Sequence, residues 1–458
     1  MPSAEASSWL LRNVEIDGAR QDCRLSSGTI TELGHLQPAN QAETVLDGRG
    51  GALLPGLADH HVHLFATAAT SNSLDLQGRL SMDAVMVPEG SGWLRITGVG
   101  TELNRTDLDA WLGTRPVRAQ HRSGALWTLN TAAVELVGGE LTEAERRSGQ
   151  LWRADTRLRR VLAEAGQSDT PQLADLGREL ASLGITHVTD ATADLDRAGL
   201  QLLDAELPQR LLSLAEVGSG PRKIIIADSG LPDLTSLSET IRVSHERGRP
   251  VAIHAVSAVG LAITIAALSS AGTIVGDRVE HAAVCDDSAA DALASLGVTV
   301  VTQPTIFARH GVRFTQESPA YERPFLWRYR SLLRAGVPVA VSSDAPYGDV
   351  NPWRTISAAA TRPDEAVEAR IALSSMLSAP RDPAGPARRV APGEAADLCL
   401  LKLPLAVTLN AVDRLANSAV RATFVAGRLV FLSPDSDSPD SDSPDSDSPD
   451  SDSPDSSP

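Results

Sequence analysis

The chain is poor in cysteine and in aromatic residues, and it has no long apolar run. It contains three cysteines among 458 residues, Cys23, Cys285 and Cys399, and they form no CxxC pair. An odd number at wide spacing argues against a disulfide framework and against a cysteine-type zinc site. No apolar run reaches the about 18 residues that a transmembrane helix needs, and the first residues lack the order of a signal peptide. We therefore expect a cytoplasmic protein.

Positive charge is also scarce. The chain has 41 Lys and Arg against 58 Asp and Glu, which gives a formal net charge of −17. Nine of the aspartates lie in the tail at 433–458, so the preceding 432 residues carry a net charge of −8. An acidic surface repels nucleic acid and anionic membranes. We expect a small-molecule substrate as the partner, with a homo-oligomer left open.

The common phosphate-binding patterns are absent, and a different pattern takes their place. Neither GxGxxG nor GxxxxGKS follows an apolar run, which removes the main evidence for a nucleotide-binding sheet. Continuous apolar runs such as PVAIHAV, GVTVVTQP and GVPVAVSSDAP instead alternate with Ala- and Leu-rich stretches. Runs of this kind are typical of strands covered on both faces in a parallel sheet. Six or more such units predict an α/β fold with a (β/α)8 TIM barrel.

The pattern changes along the chain and predicts its organisation. Short β segments dominate 1–54 and return at 382–432, so we predict that both chain ends build one small β-sandwich domain. The barrel occupies 55–381, with an insertion at about 65–116 that fits the repeat poorly and is long for a loop. The tail at 433–458 repeats SDSPD without an apolar residue. Such a segment cannot offset its ordering entropy by burial, and we predict that it is disordered.

Histidines and one aspartate lie at the ends of the predicted strands. His61 and His63 form an HxH pair in LPGLADHHVHL, His254 and His281 end the runs PVAIHAV and DRVEH, and Asp344 ends GVPVAVSSD. Alternate residues of a strand share a face, so both histidines of HxH can point to one centre. An isolated HxH or a lone strand-end histidine is more often structural. The strand ends of a barrel converge at one mouth, however, so the five residues together predict a metal site.

These segments resemble the amidohydrolase superfamily of metal-dependent hydrolases. The motifs are LPGLADHHVHL, HAVSAVG, VEHA and SSDAPYG, followed by PARRVAPGEAADLCLL and VRATFVAGRLVF. The segments LDAWLGTRPVRAQHRSGALWTLNTAAVELVG, GITHVTDAT and VTQP are similar to the branch that contains N-substituted formamide deformylases. The resemblance covers residues 8 to 432 almost completely, and it implies a barrel hydrolase without specifying the substrate.

The resemblance also implies roles for the strand-end residues. His61 and His63 become ligands of one metal. His254 and His281 become ligands of a second metal or partners in catalysis. Asp344 becomes a metal ligand that also moves protons. The ligand set suits one or two divalent ions per chain, with Zn²⁺ expected and Fe²⁺, Mn²⁺ and Co²⁺ compatible.

In many members of the superfamily a carboxylated lysine bridges two metals, and Lys223 in GPRKIIIADSG is the candidate here. Carboxylation needs a neutral amine, which a desolvated lysine with a lowered pKa supplies. The alternative is that Lys223 only begins a strand and extends outward. Because a second metal depends on this lysine, the number of metals per chain stays open between one and two.

The chain departs from the branch at one position near the predicted substrate site. Members commonly carry a histidine three residues before the Trp of a W-x-x-N segment, and this chain has Gly124 there, with Trp127 and Asn130 retained. His121, three residues before Gly124, is the candidate to substitute for that histidine, and the alternative is a different substrate pocket. The predicted substrate-binding residues are His121, Trp127, Gln303 and Tyr347.

The function that follows is hydrolysis of an amide or cyclic amide bond by metal-activated water. Asp344 would accept the proton of the attacking water and return it to the leaving nitrogen, and the metal or His281 would stabilise the oxyanion. One alternative is a heterocycle deaminase with a single metal, although such enzymes place a Glu soon after the histidine that corresponds to His254, and here no acidic residue follows until Asp277. The alternative from another class is a non-catalytic, metal-stabilised binding protein.

Overall fold

The computed structural model describes residues 8–76, 87, 92–113, 115–164 and 172–434. The predicted disordered tail therefore lies, from residue 435 onward, outside the described residues, and so does part of the predicted insertion. The strands are β1 Trp9–Ile16, β2 Ala19–Ser26, β3 Thr29–Gly34, β4 Thr44–Asp47, β5 Leu53–Pro55, β6 Leu57–Val62, β7 Ser73–Asp75, β8 Leu94–Val99, β9 Val117–His121, β10 Leu126–Leu129, β11 Gln150–Trp152, β12 Ile185–Asp190, β13 Arg210–Ser213, β14 Arg222–Ile225, β15 Val251–Ala255, β16 Arg278–His281, β17 Thr299–Thr302, β18 Val339–Val341, β19 Leu398–Leu401, β20 Val420–Val425 and β21 Arg428–Leu432.

The helices of the described chain begin in most cases just after the strands of the parallel part. They are α1 Leu64–Ala68, α2 Arg105–Leu112, α3 Thr131–Val137, α4 Glu143–Ser148, α5 Asp155–Glu164, α6 Leu173–Ser182, α7 Arg197–Glu206, α8 Leu234–Glu246, α9 Ala258–Ala271, α10 Asp287–Leu296, α11 Pro304–Glu317, α12 Tyr329–Arg334, α13 Pro352–Thr361, α14 Ala369–Met376, α15 Leu405–Asn410 and α16 Val412–Leu415. Among these helices, none combines the length and the apolar content that crossing a membrane requires.

Parallel strands and intervening helices make this an α/β fold, as predicted. One parallel sheet has the order β13-β12-β6 and a second has the order β14-β15-β16-β17-β18. Two backbone hydrogen bonds join the sheets at their outer strands. Lys223 N–H donates to Leu214 O at 2.8 Å beside β13, and Asp344 N–H donates to His61 O at 2.7 Å on β6. The carboxyl ends of β6 and β18 are therefore neighbours.

Local signals explain where the helices of this part begin and end. The Ser257 side chain accepts the N–H of Gly260 at the start of α9, and the Asp286 side chain accepts the N–H of Ala289 at the start of α10. Such caps satisfy backbone donors that the first turn leaves free. After α10 the chain turns at Gly297 with a φ of +66°, a left-handed conformation that favours glycine. The helices pack against the apolar residues of the strands in one continuous core.

An additional five-stranded sheet, of order β11-β10-β9-β8-β7, lies between β6 and β12 in the chain. The described part of the predicted insertion contributes β7 and β8, and the sheet continues beyond residue 116 as far as Trp152. One core of this sheet contains Ile96, Val117 and Leu108 of α2. Trp127 belongs to a second core, beside α3 and α5.

The chain ends form two four-stranded sheets, of order β3-β2-β1-β4 and β21-β20-β19-β5. The second sheet joins the two ends of the chain directly, because β5 pairs antiparallel with β19. Leu11 and Leu25 of the first sheet share a core with Leu400 and Phe424 of the second. These two sheets, which contain strands from both ends of the chain, are called the small β unit below.

Candidate metal centre

The ends of β6 and β18 bring two predicted histidines to one aspartate. The Nε2 atoms of His61 and His63 each lie 3.4 Å from Asp344 Oδ1. The rings of His61 and His63 are 5.6 Å apart between centroids, so the HxH pair does point toward a common centre. Asp344 has a φ of +50°, which is costly for a residue other than glycine. Strain of this kind is found where a side chain must be aimed at a site.

His281, at the end of β16, completes the group. One ligand atom each from His61, His281 and Asp344 can be chosen so that all lie within 4.8 Å of one another, and all three residues are buried. Like Asp344, His281 has a positive φ, +76°. His254 on β15 is the neighbour of His281, with ring centroids 4.5 Å apart in a perpendicular arrangement.

The hydrogen bonds of Gln303 determine which nitrogen of His281 carries the proton. The Gln303 amide N–H donates to Val301 O at 3.0 Å and to Ser342 Oγ at 3.1 Å, so its Oε1 faces His281 Nδ1 at 2.8 Å. Because Oε1 can only accept, Nδ1 is the protonated nitrogen and Nε2 keeps its lone pair. The predicted substrate contact of Gln303 is not seen in this arrangement, since the side chain is fully buried and both ends of its amide are bound to protein.

Two buried atoms of the group have no hydrogen-bond partner in the described protein, His281 Nε2 and Asp344 Oδ1. Buried polar atoms without a partner are costly, and both of these are electron-pair donors on residues of one buried cluster. Imidazole nitrogens and a carboxylate oxygen are the ligands that Zn²⁺ and similar divalent ions bind. The residues therefore fit the metal that the sequence predicts.

Burial keeps His61, His254 and His281 in the neutral form. It lowers the pKa of His61, His254 and His281, and neutral imidazole is the form that binds a metal. Burial raises the pKa of Asp344, but His61, His63 and His281 outweigh that effect and lower it to about 2. At neutral pH these three histidines therefore offer neutral nitrogens, and Asp344 offers a carboxylate.

Lys223 of β14 lies beside this group. Its Nζ is 3.2 Å from His61 Nε2, and its side chain is buried. The alternative in which Lys223 extends outward is therefore wrong. Burial lowers its pKa to about 8, although the nearby carboxylates of Glu280 and Asp344 act in the opposite direction. Lys223 is one of two lysines in the chain, the other being Lys402. This scarcity is a sequence signal in favour of Lys223.

Tyr347 forms a wall of the site next to the five-stranded sheet. Its ring is perpendicular to that of His63, with centroids 5.9 Å apart. A Cβ on Gly124 would lie 1.8 Å from the Tyr347 Oη, so the space above Gly124 is filled by the tyrosine. Burial raises the pKa of Tyr347, and the phenol keeps its proton at neutral pH.

The other two predicted substrate residues, Trp127 and His121, form hydrogen bonds away from the proposed metal ligands. The Trp127 indole is buried, and its N–H donates to Asp155 Oδ1 at 3.0 Å. His121 lies at the end of β9, where its Nδ1 contacts Ser123 Oγ at 2.8 Å. The hydrogen bonds of these two side chains therefore go to Asp155 and Ser123 rather than to His61, His63, His281 or Asp344.

Glu280 and Arg278 were not identified from the sequence, although both belong to the site. Their side chains are buried on β16, and they form an ion pair with each other. Glu280 is hydrogen-bonded to His61 Nδ1. Two charged residues alternating within a short strand that is buried on every side, RVEH, are a signal that could have revealed them.

Comparison with known proteins places this geometry in a family. A sequence model of the amidohydrolase family matches residues 44–431. The chain therefore belongs to the amidohydrolase family, as the resemblance predicted. It is also similar to an N-substituted formamide deformylase of Arthrobacter pascens, with 34% identity over 115 residues. That match covers 23% of this chain and only 21% of the deformylase.

Solved structures share the fold at low sequence identity. An uncharacterised metal-dependent hydrolase of Pyrococcus furiosus is 18% identical with a TM-score of 0.63, and the match covers 85% of this chain and 98% of that one. N-isopropylammelide isopropylaminohydrolase of Burkholderia multivorans is 16% identical with a TM-score of 0.56, covering 93% and 100% of the two chains. An ochratoxinase of A. niger is 14% identical with a TM-score of 0.52, covering 93% and 96%. These likenesses concern the fold alone.

Proposed function

We propose that this chain is a metal-dependent hydrolase that cleaves an amide or cyclic amide bond of a small molecule. The observation that carries the proposal is the buried cluster of His61, His281 and Asp344, in which two ligand atoms lack a hydrogen-bond partner among the described residues. A divalent ion bound there, with Zn²⁺ expected, would lower the pKa of water and polarise a carbonyl group. The A. pascens deformylase, by its name, acts on substituted formamides, which are also amides.

The proposed architecture is a (β/α)8 barrel with a small β-sandwich beside it. The eight parallel strands and the hydrogen bonds Lys223 N–Leu214 O and Asp344 N–His61 O support closure of the barrel. The shared core of the two chain-end sheets supports the sandwich. In a closed barrel the carboxyl ends of all eight strands surround one mouth, where enzymes of this fold have their active sites.

Within this site Asp344 is the proposed proton carrier. Its low pKa keeps it ionised, so it can accept a proton from the water that attacks the carbonyl carbon. When the carbon–nitrogen bond breaks, the same carboxyl returns that proton to the leaving nitrogen. His281 serves in the proposal as a ligand, because its Nε2 carries no proton to donate to an oxyanion.

Lys223 and His254 decide between one metal and two in this proposal. A lysine with a pKa of about 8 has a fraction of neutral amine at neutral pH, which carboxylation by CO₂ requires. The carbamate would add two oxygen ligands beside His61, and His254 with His281 would complete a second position. Tyr347, whose ring centroid is 5.9 Å from that of His63, lines the proposed substrate pocket.

Metal content measured by elemental analysis, together with hydrolysis of an amide panel, tests the proposal. Protein purified without chelator is compared with Asp344→Asn, Lys223→Ala and the control Lys402→Ala, which removes the other lysine of the chain. We expect metal in the wild type and in the control, and metal-dependent hydrolysis that falls by at least 100-fold in Asp344→Asn. Two metals that fall to one or none in Lys223→Ala support the carbamate, and one metal unchanged by Lys223→Ala rejects it.

The same measurements distinguish the alternatives. Metal without turnover of any amide, but with ammonia release from amino-substituted heterocycles, would replace the proposal by a deaminase. Metal without turnover of either class would indicate a metal-stabilised binding protein. A preparation that never binds metal would overturn the proposed mechanism.

A further inference from the structure

Below the proposed metal centre lies a buried carboxylate that the reaction itself does not use. The side chain of Glu280 has no solvent exposure, and one of its oxygens is hydrogen-bonded to His61 Nδ1. Its other oxygen lies 2.5 Å from Arg278 Nε, and that arginine side chain is 1% exposed. Arg278 in turn donates to the backbone oxygen of His60 at 3.0 Å. The pair thus connects β16 to the HxH strand, β6.

The chemistry of this contact determines the form of His61. A carboxylate accepts hydrogen bonds, and Arg278, whose guanidinium can only donate, faces the other oxygen of Glu280. The proton of the neutral imidazole must therefore be on Nδ1. Nε2 then keeps its lone pair, and this is the atom that faces Asp344 Oδ1 at 3.4 Å and Lys223 Nζ at 3.2 Å.

We propose that Glu280 is a positioning residue that holds His61 with Nε2 ready to bind the metal. The inference rests on the proposed function, because it presumes that His61 is a ligand. A histidine ligand whose other nitrogen donates to a carboxylate is fixed in tautomer and orientation and is more basic. Gln303 holds His281 by the same device, with an amide oxygen in place of the carboxylate.

A purely structural role explains the pair less well. Burying two charges costs desolvation energy that their attraction offsets only in part, and well-packed apolar residues in such places are often equally stable or more so. The hydrogen bond to His61 gives the buried carboxylate a use that apolar packing could not supply. The contact also spans 219 residues of sequence, so it fixes one proposed ligand against the strand that carries another, His281.

The affinity for Zn²⁺, measured by competition with a chromophoric chelator, tests the inference on Glu280→Gln. We expect binding to be about 10- to 100-fold weaker than in the wild type. The matched control is Glu43→Gln in the small β unit, which also changes a fully buried carboxylate paired with an arginine, Arg24 at 2.8 Å. Both variants lose a buried charge, but only Glu280 touches a proposed ligand.

Three further measurements separate positioning from folding. The melting temperature of the metal-free protein reports the structural cost of each variant, which we expect to be similar in the two. The visible absorption of Co²⁺-loaded protein reports the ligand geometry, and we expect it to change in Glu280→Gln alone. Should Glu280→Gln not fold, Glu280→Asp keeps the charge opposite Arg278 but retracts the carboxylate by one methylene, and we expect the same loss of Zn²⁺ affinity.

Wild-type Zn²⁺ affinity, within twofold, in a folded Glu280 variant would overturn the positioning role and leave the proposed hydrolase intact. Equal losses of affinity in Glu280→Gln and Glu43→Gln would also overturn it, since the effect would then be general destabilisation. A wild-type protein that binds no Zn²⁺, Co²⁺ or other divalent ion would instead remove the proposed function on which the inference rests.

Discussion

At the scale of single residues, Gly124 and Tyr347 depend on each other. Gly124 has a φ of +73°, and a Cβ there would lie 1.8 Å from the Tyr347 hydroxyl oxygen. We predict that Gly124→Ala lowers the free energy of unfolding by about 1–2 kcal/mol for the left-handed backbone and by about 1–3 kcal/mol more for the collision. Denaturant unfolding of the purified variants measures the sum.

Gly248 provides the control for that prediction. It also has a left-handed backbone, with a φ of +66°, but its Cβ would meet nothing within 4 Å. Gly248→Ala should therefore show the backbone cost alone. We expect Tyr347→Phe to recover part of the loss in Gly124→Ala, because the colliding oxygen is removed. Equal losses of unfolding free energy in Gly124→Ala and Gly248→Ala would contradict the predicted collision with Tyr347.

At the scale of elements, His187 joins the parallel strand β12 to the segment just before β19. Its Nδ1 lies 3.2 Å from Arg388 Nη1, and its Nε2 lies 3.7 Å from Asp397 Oδ2. Burial, with help from Arg388, lowers the pKa of His187 to about 3. Since the unfolded chain binds this proton more readily, the stability contributed by neutral His187 is complete above about pH 6.5 and is lost as the pH falls toward 3.

His187→Asn tests this pH dependence, because asparagine has no proton to gain. In metal-free protein we expect the free energy of unfolding of the wild type to fall with decreasing pH between 6.5 and 4. The slope should be smaller in the variant, by up to about 1.4 kcal/mol per pH unit. The control is His35→Asn, at an exposed position next to β3, so that the two variants compare a buried histidine with an exposed one. An unaltered slope in His187→Asn would refute the assignment.

Elements with a simple sequence period were predictable, and those set by long-range pairing were not. Apolar runs ending in histidine or aspartate predicted the strands of His254, His281 and Asp344, because burial on both faces demands such runs. The five-stranded sheet was only partly predicted, as its strands after residue 116 are three to five residues long and carry little periodicity. Glu280 was missed because a buried charge is explained only by its partners, Arg278 and His61, and those come from the fold.

At the scale of the whole molecule, strands β1 to β5 and strands β19 to β21 need each other for folding. The pairing of β5 with β19 places residues from opposite ends of the chain in one sheet, whose core includes Phe424. Removing one end would leave β5 with an unpaired edge and its neighbours with exposed apolar faces. The acidic repeats beyond residue 434 contain no apolar residue, so they have nothing to bury in that core.

Two truncations should therefore behave differently. A chain that ends after residue 434 keeps β19 to β21 and loses nine aspartates. We predict that it melts within about 2 °C of the full chain, since a negligible change in unfolding free energy shifts the melting temperature of a large domain by little. A chain that ends after residue 397 loses all three strands and should aggregate or melt without a cooperative transition. Scanning calorimetry and light scattering on the two proteins measure this, and a cooperative melt of the shorter chain would show that the small β unit is dispensable for folding of the parallel sheets.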